Sequence, residues 1–296
     1  MMEGSAPRPV VVGVDASAAA VQAARFGAEE ARQRGAPLRI LHVVRWPFDG
    51  MVTPPPDLDV PVLQRTGGEG MLQAVADAVA GTVGAEGLST SLIDGDPVTV
   101  LREASAESQL MVLGSRGVGG LAGLLLGSTA SGVVAHARCP VVVLPDESSV
   151  LVRPRRSVVV GVAARAADEE VLAFAFAEAA ARDTDLVAVH AWQDVALGPA
   201  LRSAGPLVDW AGVLADEERA LAGSLADWRN KEPDVVVRQA VVRDGTARAL
   251  VAASMTAHLL VIGHRPRRTL GSVTHGVLHR TTCPVAVVPV GSGADR

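Results

Sequence analysis

The chain repeats one sequence pattern, and this internal repeat constrains its fold more than any other feature. The segment Pro9–Asp15, with the sequence Pro-Val-Val-Val-Gly-Val-Asp, returns 148 positions later as Ser157–Ala163, with Ser-Val-Val-Val-Gly-Val-Ala. In the same way, Leu110–Gly114 returns 149 positions later as Leu259–Gly263. At roughly 150 residues per domain, this repeat predicts two similar domains in tandem.

Each copy alternates short apolar runs with segments of helical periodicity. In the first copy we expect strands at residues 9–15, 38–44, 89–93, 110–114 and 141–144. Helices are expected near residues 18–33, 69–80, 97–107 and 128–137. The proline-rich segment 45–66 is interpreted as a surface loop. Strands rich in Val, Ile and Leu on both faces are typical of a parallel sheet covered by helices on both sides. We therefore predict an α/β fold of two Rossmann-like, doubly wound domains, at residues 1–148 and 155–296.

Composition excludes several classes of function. The net charge is −5, so the chain carries no electrostatic footprint for duplex nucleic acid. Lys231 is the single lysine and lies outside any Gly-Lys-Ser/Thr sequence, which excludes a Walker A loop. The sequence has no stretch of about 18 uninterrupted apolar residues, no apolar signal core at its start, and only two cysteines. We therefore expect a cytoplasmic protein that does not bind membranes.

Glycine and hydroxyl residues follow the fourth expected strand of the first copy with a distinctive spacing. Gly114 and Gly117 leave the strand, Arg116 lies between them, and Gly127-Ser128-Thr129 begins a helix after a spacer of nine residues. Glycine lets a backbone approach a ligand closely, and the first N–H groups of a helix lack partners within it. With the helix dipole, these groups form a site for anions such as phosphate and need no lysine.

Asp15 follows the first strand and is expected to face the same crevice, because the carboxyl ends of parallel strands meet at one edge. There its carboxylate can accept hydrogen bonds from a nucleoside. A nearby motif, Gly117–Ala122, mimics the dinucleotide fingerprint, but it follows the fourth strand instead of the first. Nicotinamide or flavin binding is therefore not expected. The residues alone leave open whether the glycines bind a nucleotide or only form turns and helix caps.

The spacing Gly-x2-Gly-x9-Gly-Ser, together with Asp15, resembles the nucleotide signature of the universal stress protein family. The resemblance covers nearly the whole chain, as two tandem copies. It implies ATP as the ligand, with or without Mg²⁺, and a backbone contact to ATP at the end of the second strand. The candidate ATP-binding residues are Asp15, Val43, Gly114, Arg116, Gly117, Gly127, Ser128 and Thr129. The resemblance also implies the strand order 3-2-1-4-5 in each five-stranded sheet, and pairing of the fifth strands about a pseudo-two-fold axis.

The second copy departs from this signature. Ala163 stands where the first copy has Asp15, and Pro266 stands at the position of Gly117. Proline lacks an N–H and fixes φ, so it does not replace that glycine. The spacer to Gly271 has four residues instead of nine, which is too short to wrap a triphosphate. We therefore expect ATP only in the first domain.

Other residues that carry chemistry favour structural roles. His42 and His190 match between the copies at the end of the second strand, where we expect a hydrogen-bonded structural histidine. His275 and His279 are four residues apart on a helix, but no carboxylate or cysteine spacing completes a metal site, and none is expected. The two cysteines precede the fifth strands and are expected to pack as small core residues.

The resemblance implies a nucleotide-dependent regulator in a stress or dormancy response. ATP is expected to order a flap at Val118–Leu126 and to change the surface offered to an unidentified protein partner; a homodimer of the tandem chain is a further expectation. No catalytic residue is evident, so weak ATP hydrolysis is the most that we expect. One alternative is a slow ATPase or self-phosphorylating enzyme, with Ser128 or Ser115 near the γ-phosphate. The other is a nucleotide-free dimerisation scaffold.

Overall fold

Each copy of the repeat contributes five parallel strands to the described part of the chain. The computed structural model describes residues 7–45, 59–117, 126–145, 157–164, 168–192, 209–265 and 269–291. Their secondary structure forms two compact units, which follow the two copies of the repeat. The pairing of the fifth strands about a pseudo-two-fold axis stays a prediction.

The first unit contains a five-stranded parallel sheet. Its strands are β1 Val10–Val14, β2 Leu38–Val44, β3 Leu88–Asp94, β4 Leu110–Gly114 and β5 Val141–Leu144. The order across the sheet is β3-β2-β1-β4-β5, and all neighbours run parallel. This arrangement confirms the predicted order. The reversal of strand order falls at β1, between β2 and β4, and this is the point at which α/β sheets of this type bind ligands.

Helices cover this sheet on both faces. They are α1 Ala18–Arg34, α2 Val60–Asp77, α3 Ala80–Val83, α4 Pro97–Ala104 and α5 Ser128–His136, and a short 3₁₀ turn spans Ala85–Gly87. The interpretation of residues 45–66 as a loop is wrong from residue 60 onwards, and the helix expected at 69–80 begins nine residues early. Asp59 caps α2 by accepting a 3.2 Å hydrogen bond from the Val62 N–H, and Pro61 is tolerated because it lies in the first turn. Residues 46–58 lie outside the described part.

The second unit repeats the same topology. Its strands are β6 Ser157–Gly161, β7 Asp185–Trp192, β8 Val237–Arg243, β9 Ala257–His264 and β10 Val285–Pro289. Its helices are α6 Glu169–Ala181, α7 Trp210–Lys231, α8 Thr246–Ser254 and α9 Ser272–Leu278. The strand order is β10-β9-β6-β7-β8, with all neighbours parallel, which matches the first unit strand for strand.

Apolar side chains fill both faces of the first sheet. Val10, Val11 and Val12 are at most 1% exposed, although successive side chains of a strand point to opposite faces. On one face, α1 packs so closely that a Cβ on Gly27 would lie 2.3 Å from Cγ2 of Val12. On the other face, Leu101 of α4 is buried beside β1. Helices therefore close both faces of the sheet at β1.

Candidate functional site

A cleft of about 510 Å³ opens at the carboxyl edge of the first sheet. It lies at the ends of β1, β2 and β4 and reaches the first turns of α1, α4 and α5. The structure brings all eight predicted residues together around it: Asp15, Val43, Gly114, Arg116, Gly117, Gly127, Ser128 and Thr129. Its volume falls within the range of about 300–1,000 Å³ that is usual for small-molecule sites.

The first turn of α5 forms one wall of the cleft. Gly127 is the N-cap residue, with φ −70° and ψ 156°, and no side chain caps the helix. Its own N–H donates to the Ser115 carbonyl at 2.7 Å, which fixes the start of the helix against the residue that follows β4. Ser128 and Thr129 then line the cleft with two hydroxyl groups and the first backbone N–H groups of the helix. An uncapped helix start with hydroxyls beside it attracts an anion.

Gly117 and Asp15 lie against each other at the floor of the cleft. A Cβ on Gly117 would lie 2.3 Å from Oδ2 of the Asp15 carboxylate. The other carboxylate oxygen, Oδ1, accepts a 3.0 Å hydrogen bond from the backbone N–H of Ser17. Gly117 is therefore needed for close approach to Asp15 and not for a left-handed backbone, since its φ is not positive.

Ser17 follows Asp15 at the start of α1. It holds the N-cap position of α1 with an extended backbone, but its side chain makes no capping hydrogen bond. Instead, the Asp15 carboxylate accepts a hydrogen bond from the Ser17 N–H. The Asp15 carboxylate lies beside Gly117, and its expected contact with a nucleoside stays a prediction.

Further polar residues that line the cleft include His42, Arg45 and Ser115. Sequence reasoning gave His42 a structural role, named Ser115 only in the enzyme alternative, and missed Arg45. Arg45 directly follows β2, and its Nη2 lies 3.9 Å from Oδ1 of Asp96. Asp96 caps α4, and the hydrogen bond from the Thr99 N–H holds the pKa of its carboxyl below the usual value. Asp15 was identified because it directly follows a strand. Arg45 directly follows a strand as well, but it was assigned to the loop at residues 45–66.

His42 makes the structural hydrogen bond expected for it. Its Nδ1 lies 2.8 Å from the carbonyl oxygen of Val14, which ties the end of β2 to the end of β1. His190 repeats this contact in the second unit, where Nδ1 lies 2.9 Å from the Val162 carbonyl oxygen. The two histidines therefore hold equivalent strand ends in place.

Comparison with known proteins decides the family. The model of the universal stress protein family matches the chain twice, at residues 7–145 and 154–289. The chain belongs to the universal stress protein family. The two matches also agree with the tandem organisation inferred from the repeat.

Universal stress proteins of mycobacteria resemble this one over almost their whole length. One from Mycobacterium tuberculosis (strain ATCC 25618 / H37Rv) is 35% identical over 294 residues, covering 98% of this chain and 97% of the relative. One from Mycobacterium bovis (strain ATCC BAA-935 / AF2122/97) is 38% identical over 291 residues, covering 94% and 96%. The crystal structure of a universal stress protein from Archaeoglobus fulgidus DSM 4304 aligns with a TM-score of 0.69 at 19% identity, covering 96% of this chain and 97% of that one. This last similarity shows the shared fold.

The second copy of this universal stress protein lacks the acid of the cleft. Ala163 takes the position of Asp15 and is exposed. At Gly263, which corresponds to Gly114, a Cβ would lie 2.9 Å from Cγ2 of Val171, so an apolar side chain of α6 fills this space. At Gly114 itself, the nearest atom to such a Cβ is the Cβ of Ala19, at 3.3 Å. The segment Pro266–Arg268, with the proline that replaces Gly117, lies outside the described residues.

Other expectations concern cysteines, metals and membranes. Cys139 and Cys283 are both buried free thiols, as expected for small core residues. Within the described ranges, His, Cys, Asp and Glu side chains do not form a group of three or more that could hold a metal ion. Among the described helices, none has both the length and the apolar character needed to cross a membrane.

Proposed function

We propose that the first unit binds ATP and that the protein acts as a nucleotide-dependent regulator in a stress or dormancy response in the cytoplasm. The observation that carries this proposal is the cleft at β1, β2 and β4, where the glycines, the acid and the uncapped start of α5 meet. Membership of the family supports a stress-related role. The nucleotide and the regulatory action are the parts of the proposal that go beyond membership.

The triphosphate is assigned to the α5 side of the cleft. There the backbone N–H groups of Ser128 and Thr129 and their hydroxyls supply donors, and Arg116 supplies positive charge. The nucleoside is assigned to the end of β2, where the backbone of Val43 offers a donor and an acceptor to a base. Asp15 lies between these two ends, beside Gly117. This division follows the chemistry of ATP. Its phosphates accept hydrogen bonds from N–H and hydroxyl groups, and its base can pair with the N–H and C=O groups of a backbone.

Regulation requires that bound ATP changes a surface of the protein. The flap predicted at Val118–Leu126 lies outside the described residues except for Leu126, which is buried and lines the cleft. We assign the switch to this segment because it joins Gly117 to the start of α5. The protein partner, and a homodimer of the tandem chain, belong to the same proposal.

The test starts with the nucleotide itself. Purified protein is denatured and the released small molecules are identified by chromatography and mass spectrometry, and ATP affinity is measured by calorimetry. Ser128→Ala removes one donor of the cradle and is expected to weaken ATP binding about two- to tenfold. Ser272→Ala, at the equivalent first position of α9, is the matched control and is expected to leave affinity unchanged.

The results separate the proposal from its alternatives. ATP in the extract, with affinity that depends on Ser128 and not on Ser272, supports nucleotide binding in the first unit. An empty protein that binds no added ATP contradicts the proposal and favours a dimerisation scaffold.

A further inference from the structure

The hydrogen bonding of Nε2 differs between His42 in the first unit and the equivalent His190 in the second. Nδ1 of His42 faces a carbonyl oxygen, which only accepts hydrogen bonds, so this nitrogen carries the proton. In the neutral ring, Nε2 is then an acceptor. No described residue gives Nε2 a hydrogen bond, whereas Nε2 of His190 lies 2.9 Å from Oε2 of Glu217.

The helix beside each histidine explains this difference. In the second unit α7 brings Glu217 onto the ring of His190. In the first unit α2 presents Gly68 to the His42 ring, and a Cβ there would lie 3.1 Å from Cδ2 and 3.5 Å from Nε2. A glycine at this point lets the helix pack on the ring without offering it a polar partner. In the first unit Nε2 of the histidine thus has no hydrogen bond from a described residue, whereas in the second unit a carboxylate pairs with it.

His42 also lies where a nucleoside would be bound. It is half-buried and lines the cleft between Val43 and the end of β1, whose Val14 carbonyl holds the ring. The hydrogen bond at Nδ1 fixes the position of the ring, so Nε2 can pair with a ligand with little loss of side-chain freedom on binding. A fixed acceptor in a cleft selects ligands that place a donor opposite it.

We propose that Nε2 of His42 accepts a hydrogen bond from the bound nucleotide, given by a ribose hydroxyl or by the exocyclic amino group of adenine. This inference rests on the proposed ATP binding and names a residue that positions the nucleoside. Ribose hydroxyls and the adenine amino group are the neutral donors that a nucleoside offers, and both are absent from the phosphates.

Two substitutions test the roles of the two ring nitrogens of His42 separately. His42→Asn places an amide N–H near the position of Nδ1, so the hydrogen bond to Val14 is kept while Nε2 is lost. His42→Gln reaches the position of Nε2 with an amide oxygen, while the Val14 hydrogen bond is lost. ATP affinity is expected to fall about five- to tenfold in the Asn variant and less in the Gln variant. Thermal stability is expected to fall more in the Gln variant, which is the opposite order.

Nucleotide analogues identify the donor. Wild type and His42→Asn are titrated with ATP, 2′-deoxy-ATP, 3′-deoxy-ATP and inosine triphosphate, which lacks the amino group. The analogue that lacks the hydrogen-bond donor is expected to bind wild type about five- to tenfold more weakly than ATP does. Its affinity for His42→Asn is expected to equal its affinity for wild type. His190→Asn, the same change in the second unit, is the control and is expected to leave ATP affinity unchanged.

Three results overturn the inference. The first is wild-type ATP affinity in His42→Asn, and the second is an equal loss in the Asn and Gln variants, which indicates a purely structural histidine. The third is a wild-type protein that binds no ATP; this result removes the proposed function together with the inference. The first two leave ATP binding intact, so the two failures are distinguishable.

Discussion

The Asp15 carboxylate fills the space that a side chain at residue 117 would need. A Cβ on Gly117 would lie 2.3 Å from Oδ2 of Asp15, closer than any unstrained contact. Oδ1 is held in turn by the Ser17 N–H, so the carboxylate has little freedom to retreat. The positions of Gly117 and Asp15 therefore depend on each other, and a change at either residue alters the other.

Gly117→Ala is expected to lower ATP affinity at least tenfold by displacing Asp15 from its place in the cleft. Residue 117 is exposed and its φ suits alanine, so the melting temperature of the nucleotide-free protein is expected to change little. Calorimetry and thermal unfolding give the two values. Gly271→Ala, where a Cβ meets no atom within 4 Å, is the control. A large fall in stability with no selective loss of affinity would make Gly117 a folding residue.

One ATP per chain is the expected stoichiometry. Ala163 offers no carboxylate, and the side chain that packs against Gly263, Val171, is larger than Ala19, which packs against Gly114. Calorimetric titration counts the sites, and Asp15→Ala in the first unit is expected to abolish the measured binding instead of halving it. Two sites of similar affinity would show that the second unit binds ATP in another way.

ATP turnover is expected to stay well below about 1 s⁻¹, the low end of ordinary enzymes. Efficient hydrolysis needs an oriented water and stabilisation of the γ-phosphate, usually with a metal and a base. Asp15 is the one carboxylate among the described residues that line the cleft, and its Oδ1 is already engaged. Phosphate release measured under saturating ATP checks this rate. Many turnovers per second, lost in Ser128→Ala, would place the protein among enzymes.

The Cys139 thiol is expected to resist alkylation in the folded protein. Burial raises the pKa of this thiol to about 12, so almost no thiolate exists at pH 8. Iodoacetamide labelling of a Cys283→Ala variant, followed by mass spectrometry, isolates Cys139. Labelling is expected to follow the rate of unfolding and to become complete in denaturant. Complete modification within minutes under native conditions would contradict the buried position.

Two glycines in helices are expected to respond in opposite directions to alanine. At Gly27 a Cβ would lie 2.3 Å from Val12, and such overpacking costs about 1–3 kcal/mol, more than alanine gains in a helix. At Gly70, exposed on α2, a Cβ meets no atom within 4 Å, and alanine is expected to stabilise by about 0.5–1 kcal/mol. Urea unfolding of both variants gives the free energies. Equal effects would mean that α1 and β1 pack less closely than described.

The strands and the start of α5 could be predicted because they depend on short-range patterns, whereas the order of the strands was predicted from the resemblance to the family. Runs of Val, Ile and Leu mark strands buried on both faces, and the spacing from Gly114 to Ser128 sets a turn and a helix start at one edge. The second copy reproduced the first pattern independently.

What could not be predicted depends on three-dimensional packing. The start of α2 was missed because the cap at Asp59 is a single hydrogen bond, and Pro61 suggested a break. The pair of His190 and Glu217 joins a strand to a helix, so it depends on how the helix is rotated about its axis. Sequence spacing of 27 residues carries no such information.

The substitutions that distinguish the second copy bear on how duplicated domains diverge. Val171 packs beside Gly263, and Glu217 pairs with Nε2 of His190, whereas Nε2 of His42 has no hydrogen bond from a described residue. The two copies therefore share one topology and differ in the packing and pairing at equivalent positions. Each copy can therefore serve as a control for the other within one chain. A substitution made at equivalent positions of the two copies compares the proposed ATP site with the copy that lacks its carboxylate, in the same molecule and the same solution.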